Sequence, residues 1–315
     1  MSARSLPNFI HDRYGIKVQS VMRPGRGLIN DNFILTTPKG RFLFKSYRLR
    51  SRRQAEFELS LLERLGRLSF PSPQPIRDLD GSLVVAWNRR PGALLRYIEG
   101  SILTRAKARD LKNIGTLLGR MHRFLRPVLQ PVPRERFDPP EIARLIRARA
   151  DSVASRPFRQ ASSLAQTVKR EFFSLSFPKG LPTGITHQDV KQENIVRTPK
   201  GTFSFIDFDN AYRGTLLYDT LTPVIWLCFK RGKLDLGKLR AYLSGYERER
   251  RLTRAERKHF LDALRFRLLR EAFVWPLRWL DPRMAPHYGL RFLRAYRLLG
   301  KEEDAVKRIV QSGYY

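Results

Sequence analysis

The sequence has little of what marks secreted or membrane proteins. Its 315 residues include one cysteine, Cys228, which excludes a disulfide framework and a cysteine-based metal site and is typical of a reducing compartment. Residues 1–7 lack the apolar core of a signal peptide. The longest apolar-rich stretch, 216–229, is interrupted by Asp219 and is too short to span a bilayer. The sequence therefore predicts a cytoplasmic protein.

Acidic residues are also scarce. The chain has 61 lysines and arginines against 29 aspartates and glutamates, which gives a formal net charge of +32. Such a charge can attract nucleic acid, acidic polymers or an anionic surface, or it can reflect a compositional preference for arginine. The basic residues are spread over the whole chain, and no basic segment is interleaved with aromatics as in single-strand binders. We expect no dedicated nucleic-acid partner, only weak attraction to acidic surfaces and easy approach of anionic ligands.

Hydrophobic residues make up 42% of the chain, which is enough for a sizeable core. Alternating apolar residues predict strands early in the chain, and apolar residues at helical spacing predict helices over 51–67 and 110–124. The strands are predicted over 16–22, 33–37, 41–46, 82–87 and 93–98. After residue 99 almost every segment has helical periodicity. The predicted fold is α+β, with a small β-rich lobe at 1–98, a hinge near Tyr97–Ser101, and a larger helical lobe at 99–315.

The segment from His187 to Asp207 carries the most specific pattern. Asp189 and Asn194 lie five residues apart on a loop that follows a short strand. The residues after Asn194 form a predicted hairpin, with its turn at 198–201, that ends in Asp207. The pattern places three oxygen-bearing side chains at one end of the hairpin.

These residue types suit phosphoryl transfer, in which catalysis is mostly positioning and charge neutralisation. Mg²⁺ prefers oxygen ligands and is usually held by one or two carboxylates together with substrate phosphates. Asp207 can bridge metal ions, Asn194 can add a neutral oxygen, and Asp189 can orient or deprotonate the attacking hydroxyl. The alternative is structural, with Asp189 capping a turn and Asp207 in a surface ion pair.

The first lobe contains candidates for binding a nucleotide. Gly27 and Asn30 lie in a glycine-containing turn at 25–32, where backbone N–H groups can approach a phosphate. Lys45 ends a strand from which a lysine can reach the phosphates. Glu58 lies on the apolar face of the following helix and is expected to pair with Lys45, because a buried carboxylate needs a partner. Glu56 remains the competing candidate.

Tyr97 and Ile98 follow an apolar strand at the predicted lobe junction. The backbone of these two residues could hydrogen-bond an adenine ring held between apolar side chains.

With these residues in place, residues 25–224 resemble the aminoglycoside phosphotransferase, choline kinase and homoserine kinase type II superfamily, a branch of the protein-kinase-like fold. The resemblance is carried by Gly27–Asn30, Phe42–Lys45, Glu58, Leu94–Gly100, His187–Asp189, Asn194 and Ile206–Asp209. Within this superfamily the chain looks most like the bacterial spore-coat branch, which also makes spore association an expectation.

The resemblance implies a bilobal fold, ATP as donor, Mg²⁺, and a small-molecule hydroxyl as acceptor. By matching positions it implies Asp189 as base, Asn194 and Asp207 as metal ligands, and Lys45 on the phosphates. Asp209 could help to bind metal or acceptor, and a structural role is equally open. Asp219 is expected to tie a helix start to the catalytic loop.

We therefore predict an ATP-dependent phosphotransferase acting on a hydroxyl of a small molecule. The alternative is a kinase-shaped structural or assembly protein of the spore-coat type, with a vestigial pocket and a basic adhesive surface. The intact Lys45, Asp189, Asn194 and Asp207 argue against that alternative. The sequence alone names neither the acceptor nor the oligomeric state.

Overall fold

A computed structural model describes residues 5–24, 30–125, 138–278 and 284–313. The chain divides into two compact units. The amino-terminal unit comprises Met1–Ile102 together with Ile195–Asp209, and the carboxy-terminal unit comprises Leu103–Asn194 and Asn210–Tyr315. The 195–209 hairpin thus belongs to the first unit, and the proposed functional boundary at residue 98 stays a prediction.

The helices are α1 (Leu6–Tyr14), α2 (Arg52–Arg67), α3 (Ala108–Leu125), α4 (Pro139–Ala154), α5 (Ala161–Phe173), α6 (Leu216–Pro223), α7 (Leu236–Glu247), α8 (Arg254–Arg278), α9 (Met284–Leu299) and α10 (Glu303–Gln311). The strands are β1 (Ser20–Met22), β2 (Asp31–Thr37), β3 (Gly40–Ser46), β4 (Pro75–Ile76), β5 (Val85–Trp87), β6 (Arg90–Arg96), β7 (Ser101–Ile102), β8 (Thr183–Thr186), β9 (Ile195–Arg197), β10 (Phe203–Phe205), β11 (Tyr212–Thr215), β12 (Phe229–Lys230) and β13 (Lys233–Leu234).

An antiparallel sheet forms the centre of the amino-terminal unit, with strand order β1-β2-β3-β6-β4 and with β5 also paired to β6. The predicted hairpin of β2 and β3 is confirmed, and its register places Lys45 opposite Asn32. The strand predicted over 16–22 is shorter than expected, since pairing begins at Ser20. Ile16 and Val18 instead pack into the hydrophobic core.

Helix α1 was not predicted from the sequence, yet it supplies part of this core. Phe9 and Ile10 are buried against Phe44 of β3 and Leu94 of β6. The helix has nine residues, and helices this short are marginal in water without tertiary packing. Contacts with the sheet therefore account for a helix whose own sequence pattern is weak.

Helix α2 begins with a capping box, in which the Ser51 side chain accepts from the Gln54 backbone N–H and the Gln54 side chain accepts from the Ser51 backbone N–H. Its apolar face is buried and includes Leu61, Leu62 and Leu65. Glu58 lies on this same buried face. Helix periodicity thus sets the direction of the Glu58 side chain.

A second sheet of the amino-terminal unit has the order β10-β9-β7. The β9–β10 hairpin confirms the strand pair expected between Asn194 and Asp207. Gly100, just before β7, has a φ of +143°, and a Cβ at this position would lie 2.2 Å from the Arg197 carbonyl oxygen. The predicted hinge therefore needs glycine both for its backbone conformation and for close approach to β9.

Helices dominate the carboxy-terminal unit. Helices α3 and α7 approach closely because both carry glycine at their contact, and Cβ atoms at Gly115 and Gly245 would lie 2.1 and 1.9 Å from carbonyl oxygens of the facing helix. The long helix α8 packs on α9, and the strands β8 and β11 form a small antiparallel sheet. No helix in the described parts of the chain is both long and apolar enough to cross a membrane.

The apolar-rich stretch 216–229 folds as α6 followed by a π-helical turn at Val224–Cys228. All residues of this turn are buried, including Trp226 and the single cysteine, Cys228. Single π turns are uncommon and occur frequently at functional sites.

Candidate active site

Lys45 is the centre of a charged cluster in the amino-terminal unit. Strand β3 brings its ammonium into the unit, where the Nζ atom lies 3.0 Å from Glu58 Oε1 and 3.2 Å from Asp207 Oδ1. Asp209 also pairs with Lys45. Of the two acidic candidates on α2, Glu58 makes the contact, whereas Glu56 pairs with Arg52 at 2.8 Å.

Asp209 is more deeply placed than Asp207. Its carboxylate is 7% exposed, whereas that of Asp207 is 44% exposed. The Asn30 amide nitrogen donates to the second Asp209 oxygen, while the buried Asn30 Oδ1 atom has no partner among the described residues. The inner carboxylate is thus held on two sides, and the outer carboxylate faces solvent.

Mutual interaction shifts the acidity of these buried groups. Burial, together with the negative charge of Asp209, raises the pKa of Glu58 to about 8. Burial also works against the charged forms of Lys45 and Asp209, but their attraction prevails: the pKa of Lys45 lies well above its ordinary value and that of Asp209 below its own. Lys45 and Asp209 therefore form the charged centre of the cluster.

Asp207 has a φ of +63°, in the left-handed region that side chains other than glycine rarely adopt. Such backbone strain persists where surrounding structure enforces it, and it occurs often at functional positions. The strained residue lies two positions after the end of β10, and its half-exposed carboxylate pairs with Lys45.

The cluster has the donor set that a divalent cation needs. Oxygens of Glu58, Asp207 and Asp209 lie within 4.8 Å of one another, and Lys45 is the ammonium that pairs with all three carboxylates. The carboxyl groups outnumber the single ammonium, so the cluster keeps an excess of acidic groups even though the raised pKa of Glu58 leaves that carboxyl largely neutral near pH 7. Mg²⁺ prefers carboxylate oxygens and would balance this excess, so the residues fit the metal that the fold implies.

Asp189 and Asn194 come together in the carboxy-terminal unit. The Asn194 amide nitrogen donates to Asp189 Oδ2 at 2.8 Å and to the Asp189 carbonyl at 2.9 Å. Lys191 Nζ lies 2.9 Å from Asp189 Oδ1. Both carboxylate oxygens are therefore oriented by neighbours. Because the Asn194 nitrogen is engaged, its carboxamide oxygen is the atom that could face a cation.

A buried aspartate, Asp219, anchors the loop that carries Asp189. Asp219 accepts hydrogen bonds from the backbone N–H groups of His187 at 2.8 Å and Gln188 at 2.7 Å. It also contacts His122 Nε2 at 3.0 Å. The prediction that Asp219 ties the start of a helix to the catalytic loop is confirmed. The Asp189 backbone N–H donates to His187 Nδ1 at 3.3 Å, which fits a loop-shaping role for this histidine.

Three of the four remaining residues predicted to bind the nucleotide, Asn30, Tyr97 and Ile98, lie within the described part of the chain. Tyr97 and Ile98 directly follow β6, and the Tyr97 ring contacts the Arg41 guanidinium at 4.5 Å. The Asn30 amide nitrogen donates a hydrogen bond to the Asp209 carboxylate. Gly27 lies outside the described residues. Asp189 and Asn194 belong to one unit and Asp207 to the other, and their convergence on one magnesium–triphosphate site stays a prediction.

The sequence did not reveal the arginine support behind the loop. Arg267 and Arg270 of α8 both donate to Gln188 Oε1, at 3.2 and 3.1 Å. Gln188 has a φ of +65°, and this contact holds the strained residue next to Asp189. Two arginines among the apolar residues of α8 were the available signal.

The model of the phosphotransferase enzyme family matches residues 20–252. A homoserine kinase from Chelativorans sp. (strain BNC1) is 32% identical over 297 residues, which cover 89% of each chain.

Two solved structures show the same fold. An aminoglycoside phosphotransferase from Alicyclobacillus acidocaldarius superposes with a TM-score of 0.70 at 14% identity, covering 98% of each chain. An amicoumacin kinase, solved in complex with AMP-PNP, Ca²⁺ and Ami, gives a TM-score of 0.67 at 17% identity, covering 97% of this chain and 92% of the kinase. The predicted protein-kinase-like α+β fold is confirmed.

The relatives also bear on the finer predictions. Spore association and placement in the spore-coat branch find no support, and curated proteins similar to the chain include several homoserine kinases. The chain matches an enzyme family over most of its length. This match gives no support to the alternative of a structural assembly protein with a vestigial pocket. The chain belongs to the phosphotransferase enzyme family and is an ATP-dependent kinase that phosphorylates a hydroxyl group of a small molecule.

Proposed function

We propose that this kinase transfers the γ-phosphate of magnesium-bound ATP to the side-chain hydroxyl of homoserine or of a closely similar hydroxy amino acid. The observation that carries the phosphotransferase part is the Lys45 ammonium held between Glu58 and Asp207. The acceptor follows from the 32% identity to a homoserine kinase over 89% of both chains.

In the proposed mechanism each named residue has one role. Lys45, oriented by Glu58, would contact the phosphates of ATP, and Asp207 and Asn194 would hold the metal. Mg²⁺, when bound, neutralises charge on the phosphate oxygens. Gly27 and Asn30 would contribute to binding the phosphates, and the backbone of residues 97 and 98 would hydrogen-bond the adenine.

Asp189 is the proposed base. Its contacts with Asn194 and Lys191 fix the plane of the carboxylate, so one oxygen can accept a hydrogen bond from the acceptor hydroxyl and take its proton as the oxygen–phosphorus bond forms. The bond between the γ-phosphorus and the bridging oxygen breaks, and ADP leaves. Lys191 adds a positive charge beside the reacting oxygen.

The test measures ADP release with ATP, Mg²⁺ and L-homoserine, together with a panel of amino alcohols and aminoglycosides. Asp189→Ala should lower kcat by about 10²- to 10⁴-fold, the range of general-base catalysis, while calorimetry shows ATP still binding. Asp207→Ala should abolish magnesium-dependent ATP binding.

Asp151→Ala is the matched control, because Asp151 is an exposed carboxylate of α4 and its removal should leave turnover unchanged. Full activity in Asp189→Ala and Asp207→Ala would refute the proposed roles. Turnover of an aminoglycoside but not of homoserine would refute the acceptor and leave the chemistry intact.

A further inference from the structure

A basic pocket lies in the carboxy-terminal unit, beside the loop that carries Asp189. Its cavity volume is about 310 Å³, at the lower end of the range for ligand pockets. Thr104, Gln192 and Trp226 form part of its wall, which also has four basic side chains, Arg105, Lys230, Lys238 and Arg291. No carboxylate contributes to this lining.

These four cations differ from several arginines of the same unit that are paired with carboxylates. Arg250, Arg257 and Arg265 each pair with a carboxylate at 2.8 Å. Within the described part of the chain, none of the four pocket cations has a carboxylate within 4.0 Å. Like charges gathered in one concavity repel one another, and a bound anion would relieve this repulsion.

Arg291 is the best placed of the four to hold an anion. It is half-buried on α9, and burial lowers the pKa of its guanidinium. Its contact with the Trp226 carbonyl is long, at 3.4 Å, so most of its five N–H donors remain for a ligand. The planar guanidinium matches a carboxylate with two parallel hydrogen bonds.

The π-helical turn organises this wall of the pocket. Its Trp226 carbonyl accepts from Gln192 Nε2 at 3.0 Å as well as from Arg291. The Leu227 carbonyl contacts Lys238 Nζ at 3.4 Å. The turn thus directs carbonyl groups at pocket side chains and fixes their positions.

The same tryptophan connects the pocket to the proposed base. Lys191 Nζ and the Arg291 Cζ atom each lie 5.6 Å from the centre of the Trp226 ring. Lys191 also pairs with Asp189 at 2.9 Å. A small molecule bound against Trp226 would therefore lie next to the guanidinium of Arg291, which has no carboxylate partner among the described residues, and next to the loop that carries Asp189.

We propose that this pocket binds a carboxylate carried by the phosphate acceptor, with Arg291 as the principal contact, so that the enzyme selects hydroxy acids over amino alcohols. The proposal rests on the proposed function, because it assigns the acceptor site of that same reaction. It places specificity in a group of residues far from one another in the sequence.

The decisive comparison uses L-homoserine and 3-amino-1-propanol, which keeps the hydroxyl and the amine and lacks only the carboxylate. We expect wild-type protein to bind homoserine in calorimetry and to discriminate strongly against 3-amino-1-propanol. Arg291→Gln should raise the KM and the dissociation constant for homoserine by about 10- to 100-fold, as expected for a lost charge-assisted hydrogen bond. The KM for ATP should not change.

Arg294→Gln is the matched control, since Arg294 is exposed on the same helix and does not line the pocket. Lys238→Gln provides a second variant should Arg291→Gln fail to fold, which a thermal melt would show. An unchanged KM for homoserine in Arg291→Gln would overturn the pocket while leaving the kinase reaction standing.

Measurements of homoserine binding distinguish a failure of the proposed reaction from a failure of the proposed pocket. Homoserine binding that depends on Arg291 in a protein without homoserine kinase activity would support the pocket and refute the reaction. Equal binding of 3-amino-1-propanol, or no homoserine binding at millimolar concentration, would overturn the pocket. Inorganic phosphate binding at Arg291 in place of homoserine would make it a separate anion site and also overturn the proposal.

Discussion

Glu56 and Glu58 lie two residues apart on α2 but have different environments. Glu58 is buried against Lys45, whereas Glu56 is exposed and pairs with Arg52. Glu58→Gln should lower kcat/KM for ATP by about 10- to 100-fold, the usual effect of losing a residue that orients a ligand-binding group. Steady-state kinetics with varied ATP would measure this.

Glu56→Gln serves as the paired control and should retain wild-type kinetics, since exposed ion pairs contribute little. Equal kinetic losses in both variants would show that the acidic character of α2, rather than the contact with Lys45, is what the reaction needs.

His122 and Asp219 make the stability of the protein sensitive to acid. Burial lowers the pKa of His122 from its ordinary 6.5, despite the hydrogen bond to Asp219. The folded state therefore binds fewer protons than the unfolded chain, so stability is present at higher pH and is lost as pH falls below 6.5. For Asp219, burial opposes the charge, but the hydrogen bond from His122 lowers the pKa and extends the loss to more acid conditions.

Urea unfolding at a series of pH values would measure this loss. His122→Gln should flatten the dependence below pH 6.5. Identical slopes in the variant and the wild type would mean that other groups account for the acid sensitivity.

Single residues differed in how far the sequence could reveal them. Glu58 could be assigned to the buried face of α2 because helical periodicity is a local property. The position of Asp209 relative to Lys45 could not, because it depends on how β9, β10 and the main sheet pack. The support of Gln188 by Arg267 was equally hidden, since the partners are separated by 79 residues.

At the level of elements, the close packing of α3 against α7 depends on glycine. A Cβ at Gly115 would overlap the Tyr242 carbonyl oxygen at 2.1 Å. Gly115→Ala should therefore destabilise the protein by about 1–3 kcal/mol, the cost of overpacking a tight interface. Chemical denaturation monitored by circular dichroism would measure the change.

Gly300 is the control, because a Cβ there meets nothing within 4 Å. Gly300→Ala should be neutral, or it should stabilise the protein by up to about 1 kcal/mol because alanine lowers the conformational entropy of the unfolded chain. A neutral Gly115→Ala would show that α3 and α7 can separate without loss.

Elements with strong local signals were predicted well. The β2–β3 and β9–β10 hairpins have turn residues between apolar runs, and α2 has clear helical spacing. Helix α1 was missed because its formation depends on Phe9 and Ile10 reaching the sheet. Strand β1 was overextended because apolar alternation also describes the unpaired Ile16 and Val18, which pack in the core.

At the scale of the whole molecule, the family resemblance made the fold predictable, whereas the acceptor site was not. The cations of the basic pocket come from positions 105, 230, 238 and 291, and no local pattern connects them. With 46 arginines and 15 lysines in the chain, a cationic side chain carries little information until its neighbours are known. Only the folded arrangement distinguishes the four that meet without carboxylates.

The burial of Cys228 makes the chain a convenient reporter of its own unfolding. This thiol is 1% exposed in the π-helical turn, and burial raises its pKa, so thiol reagents should react with it only when the turn opens. Ellman's reagent should leave the native protein unmodified and modify one thiol per chain in urea. A cysteine introduced on the surface could then be labelled at a single position without first replacing the natural one.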